Sequence, residues 1–438
     1  MLKLHNEKDK QMDIFEAGLP KELFELDEEL KKIDEFLNDE RFMEPFLEHF
    51  NSSTGRPTVP VETYLRMMYL KHRHGIGYET LVKEISDSIK WRTFCKLKLT
   101  DPVPDSTTLI KATKRYGEKI INEINELLVE KAREKKVIRG RKLRVDSTTV
   151  EADIHYPTDA SLLADGIKAV SKTIKKLKKS GEEAAQDFRD RTRSAKKRAF
   201  KASNAKGKKD QINKITSELV KIAEKVVGSA KKIKDQLEDG HLGTKLGRQT
   251  EILEQVIHQT KEVLTGNTHI PDRVVSIFDP EARLLKRGNR RVPVEFGRKL
   301  CLTETEERII TGYDLKNGNP SDTELLFPAI EKHINVTGKL PWAIAADAGF
   351  ASAEHKETLI AMGVKRVALR LRGRKKEYEK ESWYKRLQRF RAGIEGTISL
   401  LKRKYGLKRS LYKGTAGSRQ WVGFGIMAYN LQRIAQLV

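Results

Sequence analysis

Cysteine is almost absent from this 438-residue chain, which holds only Cys95 and Cys301. Two thiols cannot build a disulfide framework or a thiolate zinc site, and neither sits in a context that marks a nucleophile, so both read as packed thiols. Long apolar runs are missing as well. With 38% hydrophobic residues and a mean hydropathy of -0.59, no stretch offers the apolar span that a bilayer requires. The first residues, Met1 to Gln11, mix Lys3, Glu7, Lys8, Asp9 and Lys10 and contain no apolar core, which excludes a secretory signal and implies a cytoplasmic home. There is no phosphate loop ending in Gly-Lys-Ser/Thr and no Gly-x-Ser-x-Gly elbow. His72 and His74 are not at metal spacing on one helix face.

What the chain has in excess is positive charge: 86 Lys+Arg against 62 Asp+Glu, a formal net of +24. Its placement is uneven. Lys168 to Lys209 carries 16 basic and 4 acidic residues, Lys365 to Arg419 carries 19 and 4, and the remainder of the chain is slightly acidic. Cations gathered in this way suit a polyanionic backbone, because each neutralised phosphate releases counterions. The implied partner is nucleic acid. A membrane surface fits less well, since the basic runs lack an apolar face.

The N-terminal segment, residues 1–50, runs against this trend with 7 basic and 15 acidic residues. Leu23, Leu26, Leu30, Ile33 and Leu37 recur at steps of three and four, so an acidic amphipathic helix or helix pair is expected there. A linker-like break at Asn51 to Pro60 closes it. Residues 56–136 read as a helical, helix-turn-helix-like DNA-binding domain. Its pieces are Glu62 to His72, Gly77 to Ser86 after a Gly75-Ile76-Gly77 turn, a segment around Trp91 to Leu97, Ser106 to Tyr116, and a connecting helix from Glu118.

Strand signals begin at Lys142 to Val145, ending on Asp146, with Ser147, Thr148, Thr149 and Val150 continuing in β-favouring residues. No proline then occurs between Pro157 and Pro271, and residues 161–269 read as a helical insertion whose first half is basic. Strands return at Val274 to Phe278, Gly297 to Thr303 and Arg308 to Leu315. A helix capped by Ser321 follows, then a strand running into Asp347, a helix, the strand Arg366 to Leu371, a long helix from Trp383 to Lys404 bearing Glu395, and an amphipathic tail helix. Residues 137–160 and 270–438 thus form an α/β unit with a mixed sheet flanked by helices, preceded by an all-α domain and interrupted by the insertion.

Three carboxylates in this order have a chemical meaning. Cutting a phosphodiester with two divalent ions about 4 Å apart needs hard oxygen ligands converging on one point. Two aspartates at the ends of adjacent strands and a glutamate from a helix packed across them would supply these. Singly each has an ordinary explanation: a strand-end Asp is usually a turn or cap residue, and Glu395 could pair with Arg391 one turn earlier. Glu395 is nonetheless the only acid after Glu381, set among Arg389, Arg391, Lys402 and Arg403.

The residues also carry a resemblance. Pro104-Asp105-Ser106-Thr107-Thr108-Leu109, Val145-Asp146-Ser147-Thr148-Thr149-Val150-Glu151-Ala152 and Ala346-Asp347-Ala348-Gly349-Phe350 are similar to blocks of bacterial insertion-sequence DDE transposases. Arg391, Glu395 and Lys402 keep the spacing of the family's third block, although its tyrosine position falls on Gln388. The resemblance covers roughly residues 56–160 and 270–435 and implies an RNase H-like catalytic domain, with Asp146, Asp347 and Glu395 as catalytic residues and metal ligands. It further implies two Mg²⁺ ions with Mn²⁺ able to substitute, double-stranded DNA as partner with contacts from Arg391, Lys402, Arg389 and Arg403, and a homodimer or higher assembly on DNA beside the nucleoid. Two other functions share these features: an inactive DNA-binding or architectural protein derived from such an enzyme, and an RNase H-like nuclease that cuts without joining.

Overall fold

A computed structural model describes residues 2–4, 14–49, 57–205, 207–238, 240–286, 294–371 and 377–438. The chain divides into two compact units, one comprising residues 1–151, 299–316 and 320–438, the other 152–298 and 317–319. The expected linker and the basic run after residue 371 fall largely outside the described residues.

In the first unit the acidic segment forms helices α1 (Ile14–Ala17), α2 (Glu28–Leu37) and α3 (Glu44–His49). The Asp27 carboxylate caps α2 by accepting from the Leu30 amide, and α2 buries Leu30, Ile33, Phe36 and Leu37. Leu23, counted in the apolar stripe, is exposed instead, because the chain there forms a short 3-10 turn and not a continuous helix. Next come α4 (Val61–His74), α5 (Tyr78–Asp87), α6 (Ile89–Phe94) and α7 (Ser106–Glu134). Gly75, at a φ of 65°, ends α4 in the left-handed conformation, and Gly117 at 76° breaks α7 where the sequence placed a boundary between two helices. Asp105 caps α7 through the Thr108 amide.

The sheet follows, with β1 (Lys142–Ala152) at its centre. Beyond the insertion come β2 (Arg283–Lys286), β3 (Val294–Thr305) and β4 (Ile310–Lys316), and later β5 (Ala343–Ala346), β6 (Arg366–Leu369) and β7 (Arg409–Ser410). The strand order is β2-β3-β1-β5-β6, with β4 on β3 and β7 on β1. β1, β5 and β6 run parallel, whereas β3 and β4 form an antiparallel pair, giving the mixed sheet expected. β1 reaches well past Asp146, so the first aspartate lies within a strand and not at its end. Leu143, Val145, Ile344 and Ala346 face one side of the sheet and pack with Leu326 and Leu359. Ala343, Ala345 and Ala368 face the other and pack with Tyr384 and Leu387.

Numbered through the whole chain, the insertion's helices are α8 (Asp159–Lys179), α9 (Thr192–Asn204), α10 (Lys209–Asp235) and α11 (His241–Leu264). They form the second unit around Leu163, Ile174, Leu219, Ala223 and Leu253. Gly166 lets α8 and α11 approach closely, since a Cβ there would lie 2.5 Å from Leu253 Cδ1. α9 buries Ala195 and Ala202 and exposes Lys196, Lys197 and Lys201. Val274 to Phe278, expected as a strand, is irregular backbone. The side-chain amide of Gln259 takes the place of a neighbouring strand there, donating to Val274 O and accepting from Val274 N, each at 3.0 Å.

The remaining helices of the first unit are α12 (Asp322–Thr337), α13 (Ala353–Ala361), α14 (Ser382–Lys404) and α15 (Gly414–Leu437). Inside α12, His333 is fully buried, with Nδ1 2.7 Å from Thr311 Oγ1 and Nε2 without a partner among the described residues. Burial holds its pKa down to about 4. An unfolded chain takes up this proton near pH 6.5, so below that pH protons favour unfolding. The expected result is that stability is unaffected by this group above pH 6.5 and declines as pH falls from there toward 4, by roughly 3 kcal/mol in all. Denaturant titrations across that range should show the slope in the wild type and a flatter one in His333→Gln; equal slopes would remove His333 as its source.

Candidate active site

The register of β1 on β5 pairs Val145 with Ala346, so the next residues, Asp146 and Asp347, leave the paired segments side by side. Neighbouring strands lie about 4.8 Å apart, which brings residues separated by half the chain into one place. The two-residue periodicity puts both aspartates on the side of the sheet covered by α14, the side of Arg144, Ala343 and Ala345. The small Ala343 and Ala345 side chains admit α14 close to the strands, and its inward residues Tyr384, Leu387, Ile394, Thr397 and Leu401 hold it there.

Arg391 and Glu395 lie one turn apart on this helix. Arg391 Nη1 is 3.7 Å from Asp347 Oδ1 and 3.6 Å from Glu395 Oε1, so one guanidinium bridges the second aspartate and the glutamate. The intrahelical pair that offered an ordinary explanation for Glu395 is therefore present, but the same arginine also joins Glu395 to Asp347. Asp347 makes no side-chain capping bond to the short turn Ala348–Phe350 that follows it, so its carboxylate is not a helix cap. Asp347 and Glu395 are 59% and 66% exposed. Asp146 is more enclosed, and its carboxylate accepts from the Ser147 amide at 2.7 Å.

The electrostatics follow from these positions. Burial is the largest influence on Asp146 and pushes its pKa up to about 6; the Ser147 amide and Arg391 act against this, while the charges of Asp347 and Glu395 add to it. Two further carboxylates beside an acid already raised by burial make a cluster short of positive charge, and its donors are the hard oxygens that a divalent cation prefers. The donor set therefore fits such an ion. Among the described residues, however, no three acidic, histidine or cysteine side chains already stand close enough together to hold one. Part of the compensating charge is supplied by Arg391.

Beneath the three carboxylates lies a buried network that the sequence did not reveal. Arg144, 4% exposed, donates from Nε to Glu304 Oε2 at 2.7 Å, and Glu304 is 0% exposed. Arg144 Nη1 donates to the Phe390 carbonyl of α14 at 2.6 Å, and the guanidinium lies 4.8 Å from the Phe390 ring. Thr397 Oγ1 completes the set by donating to Glu304 Oε1 at 2.7 Å. Gly393 permits this approach, because a Cβ at that position would fall 2.3 Å from Arg144 Nη1. Strands β1 and β3 thus grip α14 on both sides of the turn that carries Arg391 and Glu395. A further carboxylate, Asp322, accepts from Ser147 Oγ at 2.8 Å and pairs with Lys299 at 2.8 Å.

The other residues singled out from sequence fall in different places. On α14, Lys402 lies three turns beyond Arg391 on the same stripe and is half-buried. Arg389 and Arg403 are exposed and lie off that stripe, and Arg403 Nε donates to Ser399 O at 3.3 Å. Gln388, at the tyrosine position of the motif, donates to the Ala368 carbonyl of β6 at 3.0 Å.

Known proteins match this chain in two blocks. Residues 20–115 match the family model described as Transposase domain (DUF772), and residues 286–431 match Transposase DDE domain. The second block spans Asp347, Arg391 and Glu395 and begins after Asp146. An uncharacterized protein, ORF8 in the nfe locus of Rhizobium meliloti, is 30% identical over 159 residues, which cover 35% of this chain and 73% of that protein. No solved structure matches. No helix among the described residues is long and apolar enough to cross a membrane.

Proposed function

We propose, from the premise that this chain belongs to the DDE transposases of bacterial insertion sequences, that it cuts DNA at the ends of its element and joins the freed 3′-hydroxyl to target DNA. The observation that carries the reading is the register that sets Asp146 beside Asp347, with Arg391 linking Asp347 to Glu395.

In this reading Asp146, Asp347 and Glu395 would hold the two divalent ions, magnesium with manganese able to replace it. Bound there, the ions would activate the attacking oxygen and stabilise the leaving one. The chain's own groups do the rest. Arg391, charged and planar, is placed to take a phosphate oxygen of DNA in exchange for its carboxylate contacts. Lys402 would hold the backbone farther along the same stripe of α14, with Arg389 and Arg403 meeting more distant phosphates. The Arg144–Glu304–Thr397 network keeps the helix still while these exchanges occur.

The domain roles extend the same proposal: residues 56–136 read DNA, 137–160 and 270–438 perform the chemistry, and the basic face of 161–269 lies along the substrate. Residues 1–50 brace the chain's own helical body through the Arg66–Asp34 and Lys131–Asp39 pairs, and the active form is a homodimer or larger complex on DNA beside the nucleoid. Full-length protein incubated with magnesium and a supercoiled plasmid bearing the element's own terminal repeats should yield joined products. Cut but unjoined DNA would replace the proposal with a nuclease, and bound but intact DNA with an architectural protein.

A further inference from the structure

The first unit contains a cleft of about 830 Å³ that none of the three carboxylates lines. Its floor is Lys71, near the end of α4, which is 3% exposed. The ammonium lies 4.5 Å from the centroid of the Trp421 ring, 4.8 Å from Tyr78 and 5.6 Å from Tyr412. Tyr78 and Tyr412 are nearly parallel, at 8° between ring planes, and their hydroxyls are hydrogen-bonded to each other. Among the described residues no carboxylate lines the cleft, while Lys114, Lys408 and Lys413 stand exposed at its rim.

This arrangement is costly for folding alone. Taking an ammonium out of water carries a desolvation penalty that contacts with ring faces return only in part. No hydrogen-bond or ion-pair partner for the Lys71 ammonium occurs among the described residues, and burial lowers its pKa to about 8, leaving it mostly charged near neutrality. A methionine would fill the same space without that penalty. A buried donor facing open space, walled by aromatic rings and fringed by cations, describes a site for a planar ring that bears hydrogen-bond acceptors and carries an anionic group.

We propose that this cleft binds a single unpaired nucleotide, its base among Tyr78, Tyr412 and Trp421 with an edge acceptor on Lys71, and its phosphate at the lysine rim. The cleft itself is independent of the catalytic reading; the choice of a nucleotide among planar anions rests on the DNA substrate proposed above. The nucleotide could be free or part of a DNA strand, and the two sources are separable by experiment.

The test is calorimetric titration of the full-length protein with dGMP, dTMP, their nucleosides, inorganic phosphate, and matched duplexes with and without one unpaired nucleotide. Nucleotides are expected to bind more tightly than nucleosides. Lys71→Met should weaken nucleotide binding about tenfold or more while leaving the melting temperature equal or higher. Lys413→Glu, an exposed change at the rim, should weaken nucleotides and not nucleosides. Preference for the duplex with an unpaired nucleotide over the free mononucleotide would identify DNA as the source, and the reverse a free ligand. Saturation by phosphate alone, nucleotide affinity unaltered in Lys71→Met, or no nucleotide binding would each overturn the proposal. Plasmid cleavage by the same preparation reports separately on the catalytic reading: cleavage without nucleotide binding removes only the cleft, and nucleotide binding without cleavage removes only the transposase chemistry.

Discussion

Asp146→Asn is expected to reduce plasmid cleavage by roughly 10³-fold or more while leaving DNA affinity within about twofold. The substitution keeps the shape of the side chain and can preserve the contact with the Ser147 amide, but it removes the charge that an ion would need at the most enclosed of the three acids. Asp347→Asn and Glu395→Gln should act alike, since each also frees Arg391 from one of its two carboxylates without emptying space in the core. Because the residues would work as a unit, the double variants should be little worse than the singles. Cleavage retained by any one variant, measured under single-turnover conditions with binding followed separately, would remove that residue from the set.

Arg144→Met should cost about 3–5 kcal/mol of stability, because it strands the Glu304 carboxylate at full burial with Thr397 as its remaining partner. Replacing both, as Arg144→Met with Glu304→Leu, is expected to recover most of that loss, since two apolar side chains need no mutual neutralisation. Activity should not return with it. The double variant lacks the bond from Arg144 to the Phe390 carbonyl, so α14 would be folded but no longer tied to β1 beside Arg391 and Glu395. Urea denaturation and plasmid cleavage of the single and double variants separate these effects. A loss under about 1 kcal/mol for Arg144→Met would show that the pair is not needed to hold the helix.

The parts of this molecule that could be read from sequence are those set by local chemistry. The Gly75-Ile76-Gly77 turn, the break of α7 at Gly117, the capping of α12 by Ser321 and the extent of α14 all follow from backbone preferences within a few residues. The alternation of strands and helices after residue 294 follows from hydrophobic periodicity, and it carries the mixed sheet with it. Asp347 was visible because it directly follows a buried run of alanine and isoleucine.

What escaped was decided at long range. Val274 to Phe278 has the apolar, branched residues of a strand, and Val274, Val275 and Ile277 are indeed buried, but a glutamine side chain on α11 meets the backbone where a strand would have been. β2 is four residues long and leaves little periodicity to detect. The β-favouring residues Ser147 to Val150 do signal the extension of β1 beyond Asp146, but composition alone does not separate one long strand from a strand that ends at the aspartate. The Arg144–Glu304 pair joins residues 160 apart. Its one local trace is Arg144 itself, a charged residue between the wholly buried Leu143 and Val145, facing the side of the sheet on which only a partnered charge can be accommodated.

The continuation of β1 through Asp146 has an implication for how the three acids differ as mechanical parts. Asp146 is embedded in an uninterrupted strand at the middle of the sheet, so displacing it means rupturing the ladder on which the whole unit is built. Asp347 begins a single tight turn, and Glu395 projects from the outer surface of a helix, where a change of rotamer suffices to relocate its carboxylate. In the proposed site one acid would therefore serve as a fixed datum and the other two as adjustable jaws. Any rearrangement that accommodates a substrate would be registered against the first.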